Sequence, residues 1–392
     1  MALAGEMYSL ACHSACSMIV DGNRCSIWVM GENGYACLGL GKSDKILYPV
    51  INENVPDNIV SVAAGGSHSL ILDSEGQVWG VGWNDYGQLG MEREKVETST
   101  WSGFASTVWT FTKLTLLPPI TAIHARANHS LFLDSEGSVW TSGWNSNGQL
   151  GLGERDPSDF RSHHFIPTKI QNLPPIKGIC AGDNSSMFLD TNGCVWATGQ
   201  FHSYYDFGFS GTTLYKPEKV QTINVPVKFI THRAHCCFID EEDNVWSFGI
   251  NSQGQLGLGT KVHVVRPKMI PDLPPIAAVA VGSEFTLLLD VNGTLYFSGK
   301  DYSAGLSESE AQSVSHPRVL HKRIKFSALC SSSSHSLVTD VDGNVWGWGR
   351  YYQYVPLGDI TNYKYKAGKR RTFIKIPEVN VSRQNVKSAR NT

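Results

Sequence analysis

The sequence predicts an all-β fold, a seven-bladed β-propeller, from three observations. One repeat of about fifty residues is written seven times, each copy divides at turn residues into short strand-like runs, and the helical apolar period appears nowhere. The repeat reads HSLILDSEGQVWGVG from His68 and HSLFLDSEGSVWTSG from His129, and it recurs from Ser185, His235, Phe285 and His335. A looser first copy starts at Cys16. Asp21, Asp73, Asp134, Asp190, Asp240, Asp290 and Asp340 form one column, spaced by 52, 61, 56, 50, 50 and 50 residues. Gly31, Gly82, Gly143, Gly199, Gly249, Gly299 and Gly349 keep nearly the same register. A unit of this size with several short strands cannot bury both of its faces alone, so the seven copies are expected to pack around a common axis.

Each element of the repeat has a local reason. Leu70-Ile71-Leu72 is a short continuous apolar run, as expected of a strand covered on both faces. Asp73 to Gly76 fits a type I turn with Asp first and Gly fourth, and Asp243 replaces that Gly in the fifth copy, where Asp tolerates a left-handed backbone. The following strand carries an aromatic column, Trp28, Trp79, Trp140, Trp196, Trp246, Tyr296 and Trp346, read as one anchor per blade. NDYGQLG from Asn84, repeated from Asn145 and Asn251, predicts a tight loop closed by one apolar plug. A variable stretch and a proline-led strand complete the copy, with LPPI at Leu117, Leu173 and Leu273 and VPV at Val225. The propeller is expected to span 1–381, with a basic tail at 382–392. The segment 373–381 is expected to lead back to the N-terminal strand near Tyr8–Cys12 and close the ring with strands from both ends.

Composition narrows the function classes. The 392 residues carry a net charge of −2 with 17% charged and 41% hydrophobic residues, which excludes a disordered chain and a uniformly basic one. The nine Cys form no C-x-x-C pair or zinc quartet and are expected to be free thiols. Met1 to Leu10 has no basic segment leading an apolar run, and no run approaches the roughly 20 apolar residues of a membrane helix. A soluble intracellular protein is therefore expected, cytoplasmic, nuclear or both, with no membrane association. From Lys364 onward nine Lys and Arg face Glu378 alone, leaving −10 on the preceding 363 residues. Lys369, Arg370 and Arg371 form a candidate nuclear-import or nucleic-acid patch, against a plain solvated tail. No nucleophile–base–orienter set, phosphate-cradling loop or HExxH is present, so no enzyme, cofactor or metal is expected.

From Gly65 to Met91, and again in the third copy, the chain resembles the regulator of chromosome condensation repeat, and the likeness extends over essentially the whole sequence. That resemblance implies a seven-bladed propeller presenting loops on one face to a protein partner. It also implies two open alternatives: guanine-nucleotide exchange on a Ran-like small GTPase, and chromatin, histone or DNA docking through the basic C-terminal segment. In the family's exchange factor the functional side chains lie largely in the G-x-x-H loops, so the resemblance makes His68, Arg126, His129, Asp183, Arg233, His235, Glu284 and His335 the candidates here. Asp183 and Glu284 match acidic positions of the exchange factor, whereas Arg126 and Arg233 place positive charge among them. The photoreceptor branch of the family needs Trp in these loops, and the six readable ones have none. The longest insertion, 91–114, holds Trp101 and Trp109 and is a further candidate partner loop. A monomer is expected.

Overall fold

A computed structural model describes residues 10–12, 16–22, 25–92, 106–153, 162–201, 213–300, 313–333, 335–349 and 374–380. These residues form seven four-stranded antiparallel sheets, each built from four consecutive strands in sequence order, and none of them is helical. Blades 1 to 7 span 10–52, 59–113, 120–169, 176–219, 227–269, 276–319 and 326–380. The inner strand of each blade touches the inner strand of the next, and that of blade 7 (Phe326–Ser331) touches that of blade 1 (Leu10–Cys12), so the ring closes.

Burial explains the sequence pattern strand by strand. The second strand, His68–Asp73 in blade 2, is buried at every residue, because a neighbouring blade covers each of its faces. The same unbroken burial recurs in the second strand of every blade, which is why these strands read as continuous apolar runs. The outer strands are half-exposed, and six carry a proline: Pro49, Pro167, Pro217, Pro267, Pro317 and Pro377. An edge strand spares proline's missing N–H, and the ladder is irregular just there in each case.

Turns join the blades as well as their strands. Gly76 N–H closes the turn on Asp73 carbonyl at 3.2 Å, and Asp243 takes the same place in blade 5 with φ 68°. Gly76 carbonyl then accepts from Ile120 N–H at 2.8 Å, the first residue of the next blade, and Gly137, Gly193, Asp243 and Gly293 repeat that link. The prolines of the LPPI and VPV segments stand one residue before each inner strand rather than at its first position. The aromatic column is an anchor in every blade. Trp Nε1 donates to its blade's Asp at 2.8, 3.3, 3.0, 3.0, 2.8 and 2.9 Å for Trp28, Trp79, Trp140, Trp196, Trp246 and Trp346, and Tyr296 hydroxyl does so at 3.4 Å.

Three readings of the sequence need correction. The 91–114 insertion is not one excursion: Thr107–Lys113 is the outer strand of blade 2, with Val108 and Phe111 in the core, so Trp109 belongs to a strand. The 373–381 segment does not share a sheet with the N-terminal strand. Ile374–Asn380 is the outer strand of blade 7 and the inner strand of blade 1 stays in its own sheet, so the ends meet by lateral packing of Cys12, Ile19 and Met30 against Leu337, Ile376 and Val379. The N-x-x-G-Q-L-G loop is also present in blade 1 as Asn33 to Gly39, where Ala36 adopts φ 59° in the first Gly's place. Asn33 Oδ1 accepts from Leu38 N–H at 2.9 Å, as Asn84 does from Leu89 at 2.9 Å.

Candidate interaction face

Antiparallel order places two sets of loops on the same face of the ring. The inner loops join inner to second strands, and the N-x-x-G-Q-L-G loops leave the third strands beside them. Trp83 N–H bonds Ser67 carbonyl at 2.9 Å and Trp144 N–H bonds Asn128 carbonyl at 2.9 Å, tying the two sets together. The opposite face carries the Asp turns and the links between blades. The stretches 93–105, 154–161, 202–212, 301–312 and 350–373 all connect a third strand to an outer one, so both of their ends start from the inner-loop face; Trp101, Lys369, Arg370 and Arg371 lie outside the described residues.

The four histidines proposed for partner contact are not at the surface. His68, His129 and His235 are fully buried and His335 is 2% exposed, because the first residue of the second strand points into the joint between blades. His68 Nε2 lies 2.9 Å from Ser130 Oγ of blade 3, and that hydroxyl donates to Gln88 carbonyl of blade 2 at 2.6 Å. With its single proton committed to the carbonyl, Ser130 accepts from His68, which fixes the neutral Nε2–H tautomer. His129 with Ser186 and Gln149, and His235 with Thr286 and Gln255, repeat the relay at 3.0 and 2.7 Å and at 2.6 and 2.7 Å. His335 reaches Ser17 of blade 1 at 2.9 Å. Burial pulls the imidazoles of His68, His129 and His235 down to about 3, so they stay neutral. Where His is replaced by Cys16 or Phe285, the facing Ser69 and Ser336 hydroxyls have no partner among the described residues.

The charged candidates sit at the mouth of the ring. Arg126 ends the inner strand of blade 3, Asp183 lies on the inner loop of blade 4, and Arg233 follows the inner strand of blade 5. Arg126 Nε donates to Asp183 Oδ1 at 3.0 Å, and Arg233 Nε is 3.9 Å from Asp183 Oδ2. Burial alone would raise the Asp183 carboxyl, but the two guanidinium groups overcome it and hold the group below the ordinary carboxylate range. His124 and His232 lie close enough to this set to feel its charge, pulled down to about 4 and 3 chiefly by burial, and sequence reasoning missed both. Their signal was faint, since each falls inside an inner strand and only the register turns it toward the loops. Glu284 of blade 6 forms a separate pair with Lys300 at 2.9 Å.

On the same face an aromatic arc crosses three blades. Tyr35 and Trp83 lie 5.6 Å apart, Trp83 and Tyr86 4.8 Å, and Tyr86 and Trp144 4.3 Å between ring centres. All four are half-buried. No group of three or more His, Cys, Asp or Glu able to hold a metal ion occurs among the described residues, and all nine Cys are free thiols, Cys25 exposed. No helix among the described residues is long and apolar enough to cross a membrane.

Comparison with known proteins agrees with this architecture. The regulator of chromosome condensation (RCC1) repeat matches residues 26–72, 136–189 and 242–289, and a second profile of the same repeat matches 59–88. The chain is 26% identical over 385 residues to the guanine nucleotide exchange factor SRM1 of Saccharomyces cerevisiae, covering 82% of this chain and 77% of that protein. It is 27% identical over 341 residues to the human E3 ubiquitin-protein ligase HERC2, covering 84% of this chain but 7% of the ligase. Among solved structures it resembles Prp20p from Saccharomyces cerevisiae, with a TM-score of 0.75 at 24% identity, covering 95% of this chain and 88% of that one. Human WBSCR16 gives a TM-score of 0.73 at 20% identity, covering 84% and 85%.

Proposed function

From the premise that this chain is an RCC1-type repeat protein folded as a seven-bladed propeller, we propose that it is a non-enzymatic interaction module that holds a protein partner on its inner-loop face. One observation carries the reading. The histidines that could have served as bases are sealed into blade joints, while the groups left at the mouth, Arg126, Asp183 and Arg233, are charges suited to recognition. Glu284 and Trp101 remain candidate contacts of the same proposed partner, whereas Trp109 lies on the outer strand of blade 2. A cytoplasmic or nuclear location and a monomeric state go with this reading. Capture of partners on the immobilised full chain, compared with a variant carrying Arg126→Gln and Arg233→Gln, tests it; a partner set unchanged by the substitutions removes the face from the proposal.

Guanine-nucleotide exchange on a Ran-like GTPase is the second reading, favoured by the identity to an exchange factor across 82% of the chain. It would act by steric and electrostatic eviction of nucleotide and Mg²⁺ without bond making. Release of a fluorescent GDP analogue from a panel of small GTPases decides it, and no acceleration with any of them removes exchange. Docking on histones or DNA through the basic C-terminal segment is tested by deleting 382–392 in a variant that also carries Lys369→Gln, Arg370→Gln and Arg371→Gln, and measuring salt-dependent binding to nucleosomes and to DNA; an unchanged affinity ends that reading.

A further inference from the structure

The cluster at the mouth has more positive charge than its own carboxylate neutralises. Arg126 and Arg233 are buried to 11% and 8% side-chain exposure, yet among the described residues they share a single counter-ion, Asp183, whose side chain is 59% exposed. Both reach Asp183 through Nε. Nη2 of Arg126 and Nη1 of Arg233 are buried and have no hydrogen-bond acceptor among the described residues.

Among the described residues the surroundings supply no second anion. His124 accepts Ala181 N–H at 3.1 Å through Nδ1, and His232 Nε2 is 2.9 Å from Ser185 Oγ, so both imidazoles are engaged and neutral. Burial and the charge of Arg126 bring Arg233 down to about 10, which leaves it a cation at neutral pH. Among the described residues, two guanidinium groups and one carboxylate therefore leave one uncompensated positive charge, with donors unspent at buried atoms. Buried donors without acceptors are costly, and a planar guanidinium fork matches a carboxylate in two-point geometry.

We infer that Arg126 and Arg233 form a receptor for one carboxylate side chain from an acidic segment of the protein partner, with exposed Asp183 as the resident counter-ion that the incoming group joins or displaces. The inference rests on the interaction reading above and names the chemistry of its contact. One carboxylate cancels the single excess charge, whereas a dianionic phosphate would overshoot it.

The test needs no partner, so its failure is separate from failure of the interaction reading. Acetate and inorganic phosphate are each titrated into the full chain at matched ionic strength against chloride, with binding read by calorimetry and the fold checked by tryptophan fluorescence. Wild type should bind acetate saturably. Asp183→Asn should bind it about tenfold more tightly, roughly one charge-assisted hydrogen bond. Arg233→Gln and Arg126→Gln should each abolish the response, while Arg126→Lys retains part of it. Acetate indistinguishable from chloride in both wild type and Asp183→Asn overturns the inference, as does a response that survives both Arg→Gln changes. Phosphate binding more tightly than acetate overturns the carboxylate assignment.

Discussion

Asp190 accepts three hydrogen bonds in one turn: from Asn192 and Cys194 N–H at 2.9 and 2.8 Å, and from Trp196 Nε1 at 3.0 Å. The third is the only one that leaves the turn, so Trp196→Phe should cost ~1 kcal/mol and Asp190→Ala ~2–4 kcal/mol, measured by urea denaturation. Equal losses would mean that the carboxylate acts through Trp196 alone and that its two turn bonds add nothing. Gly82 is constrained differently. It has φ 104°, and a Cβ there would lie 2.4 Å from Ser67 carbonyl, on the inner loop it must pass. Gly82→Ala should destabilise the fold by ~2–4 kcal/mol, seen as a lowered urea midpoint with unchanged slope. The Asp, Gly and aromatic columns were legible in the sequence because each is fixed by contacts inside one blade.

Between elements the contacts are less regular and were not legible. The His-to-hydroxyl relay spans two blades, so its partners stand 62 residues apart at His68–Ser130 and 51 at His235–Thr286. Nothing in either copy alone marks the pairing, so the recurrence of His at one position could not name the hydroxyl of the neighbouring blade that it meets. The relay makes a paired prediction. Ser130→Ala removes the acceptor of His68 and the donor to Gln88 and should cost ~1–3 kcal/mol, whereas Ser69→Ala, facing Cys16, should change stability by less than about 0.5 kcal/mol. Comparable losses at both sites, measured as urea midpoints, would refute the relay as a joint. A similar fit went unread in the outer strands. A Cβ on Gly90 would lie 2.7 Å from Pro167 Cγ of the next blade, and Gly257 faces Pro317 in the same way.

For the whole molecule the buried imidazoles set a pH limit. His68, His129, His232 and His235 are held at about 3, and His124 at about 4, against 6.5 when exposed. Folded values below unfolded ones mean that the unfolded chain binds more protons as pH falls. Stability is therefore full above pH 6.5 and drains below it, by at most about 1.4 kcal/mol per pH unit for each His. The urea midpoint should fall steeply from pH 7 to 5, and His129→Gln should flatten that fall. A pH-independent midpoint over this range would contradict the buried neutral state. The ring's weakest line should be its seam, because blades 7 and 1 are the one neighbouring pair not joined by a consecutive chain segment. His335→Ala should speed hydrogen exchange in Cys16–Val20 and His335–Asp340 before other blades.

The sequence by itself determined the number of blades, the order of their strands, the Asp turns and the aromatic anchors, because a repeat displays every interaction that recurs at a fixed offset within it. It also brought Arg126, Asp183 and Arg233 to notice by their loops, though not to one another. Only the tertiary structure decided that these three converge at the ring's mouth, that His68, His129, His235 and His335 belong to the joints, and that the chain's two ends pack side by side without sharing strands. Those outcomes depend on the rotation from one blade to the next, a geometry set by seven sheets fitting around one axis and written in no single copy.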